Sequence, residues 1–293
     1  MGRFGYYGFR LLVYLFGILP LWMVYKLSDF LFFFFYKIIH YRRRVVNENL
    51  RRSFPEKSSA EIDAIARQFY QQLCDNLLES LKGLTMSKAR FQERYRFGGT
   101  ALLDAEFEKN QSIIIAGGHF NNWEWGVFSV SLWLKHKVIG IYKPINNKYI
   151  DKFYNQQRTR FGLHIASMKQ AGRAVVQHRH EACAFVFIAD QAPSDVNNCH
   201  WIPFLHQETA FLQGVDKIAR STNYPVFYFD IKSVKRGYYE LTFSELVRNP
   251  ANLNEGEITA LFAQRLEQSI LERPADWLWS HKRWKRGRVG MME

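Results

Sequence analysis

Cysteine is nearly missing from this chain. Three occur in 293 residues, Cys74, Cys183 and Cys199, and no two form a CxxC pair. So sparse and odd a set excludes a disulfide framework and a structural zinc site, and it suits a reducing compartment. Acid is also short: 27 aspartates and glutamates stand against 40 lysines and arginines, a formal net charge of +13. That balance favours nucleic acid, an anionic membrane surface, or an acidic or phosphorylated partner. No nucleic-acid recognition motif is present, which argues against the first. Internal repeats, low-complexity segments and long Pro/Ser-rich linkers are absent too.

The chain also lacks a clean membrane-spanning run. Residues 11–25, LLVYLFGILPLWMVY, carry no charge. As a helix they reach about 22 Å at 1.5 Å per residue, short of the roughly 30 Å hydrocarbon core. Extending the run into FLFFFFYKII, as far as residue 36, brings in Lys26 and Asp29, and Pro20 provides a kink. One reading is a single crossing that tolerates both charges. Another is a shallow anchor or bent helical hairpin in one leaflet. A pair of soluble core helices is the bland alternative, and a cleaved signal peptide lacks its small-x-small site. Four consecutive phenylalanines beside Arg42, Arg43, Arg44, Arg51 and Arg52 favour an interface with anionic lipid, with the cationic side facing the cytoplasm.

After this element the patterning changes. Ser58 and Glu61 have capping-box spacing, and Ile62, Ile65, Phe69, Leu73, Leu77 and Leu81 form one helical stripe. Strands are then predicted at 112–117, 137–142, 182–189 and 224–231, with an alternating edge strand at 238–245. Helices are expected from about 122, over about 147–160 and over about 256–272. Continuous apolar strands separated by helices imply an α/β fold with a mostly parallel central sheet covered by helices on both faces. The expected division is an N-terminal membrane-associated helical element, 1–45, and a catalytic-size domain, 46–293.

In such sheets ligands bind beyond the carboxyl ends of the strands. IIIAGGHFNNWEWG, residues 113–126, leaves such an end. His119 and Glu124 are five residues apart. On one helix their side chains would diverge by about 140°, so a working pair needs His119 in the loop and Glu124 in the first helical turn. A glutamate accepting the Nδ1 proton would leave Nε2 as a base. The competing reading is a capping box, with Asn121 as N-cap and Glu124 at the third helical position.

A His-x4-Glu after an apolar strand, in a basic chain with an apolar N-terminus, resembles the acyltransferases of glycerolipid and lipid A synthesis. Three further stretches, in order, narrow this: YKPINNKYIDKFYNQQRTRFG (142–162), ADQAPSDVNNCHWIPFLHQETAFLQG (189–214) and WLWSHKRWKR (277–286). With GGHFNNWEWG they resemble the sequence blocks of the bacterial lipid A late (secondary) acyltransferase family. The resemblance implies a membrane-associated enzyme at the cytoplasmic side of the bacterial inner membrane. It would move a fatty acyl chain from a thioester on acyl carrier protein, or on coenzyme A, to a hydroxyl of a lipid A precursor. In that chemistry the acceptor attacks directly; the lack of a Gly-x-Ser-x-Gly elbow agrees. No cofactor is implied beyond the acyl co-substrate.

On this resemblance His119 is the general base and Glu124 its partner. Arg158, Arg160 and Asp190 are candidates for binding phosphate or the oxyanion; Asp190 reads either as a strand-end cap or as an arginine partner. Trp277, Trp279, Lys282, Arg283, Trp284 and Lys285 interleave aromatics with cations, as a membrane or carrier-protein contact would. His178, His180, Cys183, Cys199 and His200 show no metal-ligand spacing, so no metal is expected. The chain is short for the family, and Gln191 leads into APSDVNN rather than a polar, glycine-rich run. These departures leave a lysophospholipid or an aminolipid as alternative acceptors. A non-enzymatic membrane-surface binder is the further alternative.

Overall fold

A computed structural model describes residues 3–286. The chain opens with α1 (Arg3–Ile18) and α2 (Leu21–Phe33), which continues into a π-helical turn, Phe34–Ile38. Pro20 starts α2 with φ −65°, and its missing N–H costs nothing there. The two helices meet at a bend of 116°. No single helix among the described residues is long and apolar enough to cross a membrane. The outward faces stay apolar: Leu12, Ile18, Trp22 and Phe30 are each at least 66% exposed.

Next come α3 (Arg43–Ser53) and the long α4 (Ser59–Gly83). The expected division after residue 45 therefore falls inside α3. The Ser58 capping box is formed: its hydroxyl accepts from Glu61 N–H at 3.3 Å, and its N–H donates to Glu61 Oε2 at 2.8 Å. From the predicted stripe, Ile62, Phe69 and Leu73 are buried, while Leu77 faces out at 42%. α2 packs on α4, and Lys82 donates to the carbonyls of Gly17 and Leu19, capping the end of α1.

Then follow α5 (Lys88–Arg94), β1 (Tyr95–Gly98), α6 (Thr100–Phe107), β2 (Ile113–Gly117), α7 (Trp123–Ser129), β3 (Lys137–Tyr142), α8 (Lys148–Thr159), β4 (His164–Ser167), α9 (Ala171–Gln177) and β5 (Cys183–Ile188). The hairpin β6 (Cys199–Phe204) and β7 (Gln207–Leu212) leads to α10 (Gly214–Thr222), β8 (Val226–Lys235), β9 (Tyr238–Val247) and α11 (Glu257–Glu272). The main sheet has seven strands in the order β1-β9-β8-β2-β5-β3-β4, parallel except between β8 and β9. Ile113–Gly117 are all buried, as a central parallel strand requires. Successive side chains alternate faces. Ile115, Val186 and Phe229 lie under α7, whereas Tyr228 meets Phe262 of α11 on the other side, so helices cover both faces.

Two sequence expectations shift. β9 is no edge strand: it lies between β8 and β1, and β1 takes the edge. β1 and β4 have four residues each, too short to carry a period that separates them from loop. The C-terminal segment folds back to the carboxyl end of β2, where Trp277 forms a β-bridge with Phe120.

Candidate active site

The site starts where β2 ends. Glycine is required at 117 and 118 because other groups occupy the space of a side chain. A Cβ on Gly117 would sit 2.5 Å from the Phe229 ring. One on Gly118 would sit 2.7 Å from Leu266 and 3.1 Å from Asp190 Oδ2. The tight exit leaves His119 in the loop and Glu124 in the first turn of α7, as the spacing requires.

The partner of His119 is Asp190, not Glu124. His119 Nδ1 lies 2.5 Å from Asp190 Oδ1, and its backbone N–H donates to Oδ2 at 2.8 Å. The cause is sheet register. β2 and β5 are adjacent and parallel with Gly117 opposite Ile188, so residues two beyond each emerge side by side. The Trp277 indole N–H donates to Asp190 Oδ2 at 2.8 Å. Asp190 thus pairs with a histidine, where the sequence suggested an arginine or a cap. Burial pushes its carboxyl up, but the charge of His119, its two N–H donors and the indole outweigh this and hold it at about 2.

The ordinary value for Asp190 is 3.8, so its ionised form is favoured by folding. This contribution is fully present above that ordinary value and is lost as pH falls through about 2. A drop from 3.8 to about 2 is worth on the order of 2 kcal/mol. We expect Asp190→Asn to be less stable than wild type at pH 6, with the gap closing towards pH 2; urea midpoints measured across that range check it.

On the other ring nitrogen, Gln191 Nε2 lies 3.1 Å from His119 Nε2. Nδ1–H donating to Asp190 leaves the Nε2 lone pair free to accept from this amide, and therefore from a hydroxyl that displaces it. The ring is also held edge-on to Trp123, with centroids 5.0 Å apart.

Glu124 reaches Arg158 at the end of α8. Arg158 Nη2 donates to both its carboxylate oxygens, at 2.7 and 3.0 Å. Arg158 Nε is buried and has no partner among the described residues. Arg160, two residues on, points elsewhere. It donates to the carbonyls of Gly83, Leu84 and Met86 at 2.6–2.7 Å, closing the C-terminus of α4. Burial pushes its guanidinium down to about 10. The expected substrate role of Arg160 is thus replaced by a helix-capping one. Arg160→Ala should lower stability by about 2–4 kcal/mol while leaving turnover per folded molecule within a few-fold, as chemical denaturation and active-site titration would measure.

The proposed cap also moves by one residue. Asn122 is the N-cap of α7, its Oδ1 accepting from Trp125 N–H at 3.0 Å. Asn121 takes a left-handed φ of 43° and ties the loop down, its Nδ2 donating to Ile231 O and Asp276 Oδ2. The Asn121–Glu124 capping box therefore does not form.

The C-terminal block is mostly interior. Trp277, Trp279 and Arg283 are buried, and Trp284 is half-buried with its indole on Thr209 Oγ1. Arg283 donates to Ala210 O at 2.8 Å beneath the Phe211 ring. Only Lys282 and Lys285 of the six expected contact residues are exposed. Asn49 of α3 holds the block through the carbonyls of Trp279 and His281. His281, pushed down to about 4 by burial, accepts from Ala192 N–H and steadies the loop after Asp190. Aromatics interleaved with cations read as surface in the sequence; packing under Asp190 is what they do here.

These groups open onto a cavity of about 730 Å³ at the carboxyl ends of β2, β5, β3 and β4. His119, Glu124, Arg158 and Gln191 form its polar wall, with Lys143 and Lys169 also among its lining. Trp123, Val127, Leu163, Val186 and Ile188 supply apolar lining. They are shared, along with Gly140, with a narrower apolar cavity of about 40 Å³ that lies under α7 against Phe229 and Phe243. Among the described residues no three His, Cys, Asp or Glu side chains converge to hold a metal ion.

This arrangement joins a histidine whose Nε2 meets the Gln191 amide, an arginine clamped by Glu124, and an apolar recess. The family model described as bacterial lipid A biosynthesis acyltransferase matches residues 4–286. The chain is similar to a lipid A biosynthesis acyltransferase of Haemophilus influenzae, 23% identical over 85% of this chain and 79% of the relative. It is also similar to the lipid A biosynthesis palmitoleoyltransferase of Escherichia coli K12, 21% identical over 85% of this chain and 80% of the relative. The chain is an acyltransferase and belongs to the bacterial lipid A biosynthesis acyltransferase family.

Proposed function

We propose that the enzyme transfers a fatty acyl group from an acyl-carrier-protein thioester to a hydroxyl of a lipid A precursor at the cytoplasmic face of the inner membrane. The observation that carries this reading is the His119–Asp190 pair, with Nε2 turned into a cavity that continues into an apolar recess. The acceptor hydroxyl displaces the Gln191 amide and gives its proton to Nε2. Its oxygen attacks the thioester carbonyl, and Asp190 offsets the imidazolium that forms. Arg158 offers its unpartnered Nε–H to the tetrahedral oxyanion, held in place by Glu124. Collapse expels the thiolate, which takes the proton back from His119. Glu124 keeps a part in catalysis on this reading, through Arg158 rather than through His119.

The bent α1–α2 pair supports a seat in one leaflet, with its exposed apolar faces in the acyl region and nearby cations at the head groups. Lys143 and Lys169 suit the phosphates of the lipid or of the carrier's arm. The test is acyl transfer from a carrier-protein thioester to purified lipid A precursor. Transfer to lysophospholipid alone, with the lipid A acyl count unchanged in a deletion strain, would move the acceptor to the alternative class.

The acyl chain is assigned to the apolar side of the cavity of about 730 Å³, along Trp123, Val127, Leu163, Val186 and Ile188, with its end directed at the narrow recess. Gly140 borders both cavities, and a Cβ there meets nothing closer than Leu163, at 3.7 Å. Gly140→Leu should fold and block the passage. We expect preference for a long over a short acyl donor to fall at least tenfold in a competition assay; unchanged selectivity would place the chain elsewhere.

A further inference from the structure

One fully buried carboxyl has no part in this mechanism. Glu79 lies in the last turns of α4, 0% exposed. It accepts from the Tyr25 hydroxyl of α2 at 2.7 Å, the Tyr239 hydroxyl of β9 at 2.7 Å, and Asn122 Nδ2 of the active-site loop at 2.6 Å. Its own backbone carbonyl accepts the Trp125 indole N–H at 2.7 Å. Asn122 is therefore held at both ends. Its oxygen caps α7 and its nitrogen is tied to Glu79. Burying a carboxyl this deeply is unfavourable, and burial pushes it up to about 7 despite the three donors. An apolar residue would fill the same space without that penalty, so the oxygens serve the groups that converge on them.

We propose that Glu79 is a positioning residue for acyl transfer. Through Asn122 it fixes the start of α7, and hence the Glu124–Arg158 pair, relative to the helix pair that carries the apolar outer face. The inference rests on the acyl-transfer reading only for its kinetic consequence. The tether itself joins α2, α4, β9 and the loop after His119, four segments far apart in sequence.

Exchanges at Glu79 and Asn122 test it. In Glu79→Gln the amide oxygen can accept from Asn122 and Tyr239 while its nitrogen donates to the Tyr25 oxygen, so kcat should stay within threefold of wild type. Glu79→Met has similar size but no acceptor for Asn122. It should lose at least tenfold in kcat with KM within twofold. Asn122→Asp keeps the cap but sets two carboxyls against each other, and should show the same loss. Combining it with Glu79→Gln restores a donor facing an acceptor, and should recover kcat to within threefold. Amide hydrogen exchange over residues 118–126, read without substrate, should be at least tenfold faster in Glu79→Met than in wild type. Wild-type exchange there, or a double variant no better than Asn122→Asp alone, overturns the proposal. If Asn122→Asp does not fold, the Met and Gln variants decide. A wild-type protein inactive on every thioester and acceptor pair would overturn the acyl-transfer reading instead, and the exchange measurement would still judge the tether.

Discussion

Asp190→Asn should lower kcat by about 10²–10⁴, the range expected when a general base loses the group that orients and charge-balances it. The introduced amide would present its nitrogen or a neutral oxygen to Nδ1, and either choice weakens Nε2 as a base. The Trp277 indole and the His119 backbone N–H also bond to Oδ2, so the position of the side chain should survive. The loss should therefore fall on kcat, with KM changing little. His119→Ala should lose about as much, and the double variant no more than the worse single, because the two act as a unit. Single-turnover acyl transfer measures this directly. Wild-type kcat in Asp190→Asn, with a large loss in Glu124→Gln, would return the partner role to Glu124.

Arg158→Ala should reduce kcat by about 10²–10³, the cost typical of removing one oxyanion donor. The pair it makes with Glu124 is largely enclosed, 15% and 18% exposed, so truncation also strands a carboxylate against the cavity wall. Arg158→Lys should recover little. An ammonium lacks the forked geometry that grips both oxygens of Glu124 while leaving Nε–H free. Glu124→Gln keeps one acceptor for Arg158 and should lose less, about tenfold. The ordering Arg158→Ala below Glu124→Gln, read from kcat on one substrate pair, is the discriminating result. The reverse ordering would show that Glu124 acts on the reacting groups itself.

The site was partly legible because two of its constraints are local. Strand, two glycines and helix start are consecutive residues, and they alone place His119 in a loop and Glu124 in a first turn. What Glu124 would touch was not local. Its spacing from His119 suggested a pair, but α8 brings Arg158 against it. Arg158 and Arg160 read as equivalent in the sequence. They separate because side chains two residues apart at the end of α8 point different ways, one to the cavity and one to the end of α4. Gln191 and Trp277 carried no sequence signal that set them beside His119 and Asp190. An aspartate ending a buried strand was the one hint, and it lacked a partner until the strand order was known.

By itself the sequence determined the class of the fold, its long helices and central strands, the family, and the residues at which chemistry was to be sought. Periodicity suffices for the elements, since hydrophobic burial is periodic along helix and strand, whereas the family and the candidate residues rest on the resemblance of four ordered sequence blocks. Tertiary structure alone decided who meets whom. Placing β5 beside β2, in a register that sets Gly117 opposite Ile188, brought Asp190 to His119 across 71 residues of chain. The same folding drew the C-terminal tryptophans inward and converged Tyr25, Asn122 and Tyr239 on Glu79. Hydrogen bonds between distant segments depend on sheet order and register, and neither is written in the spacing of residues along the chain.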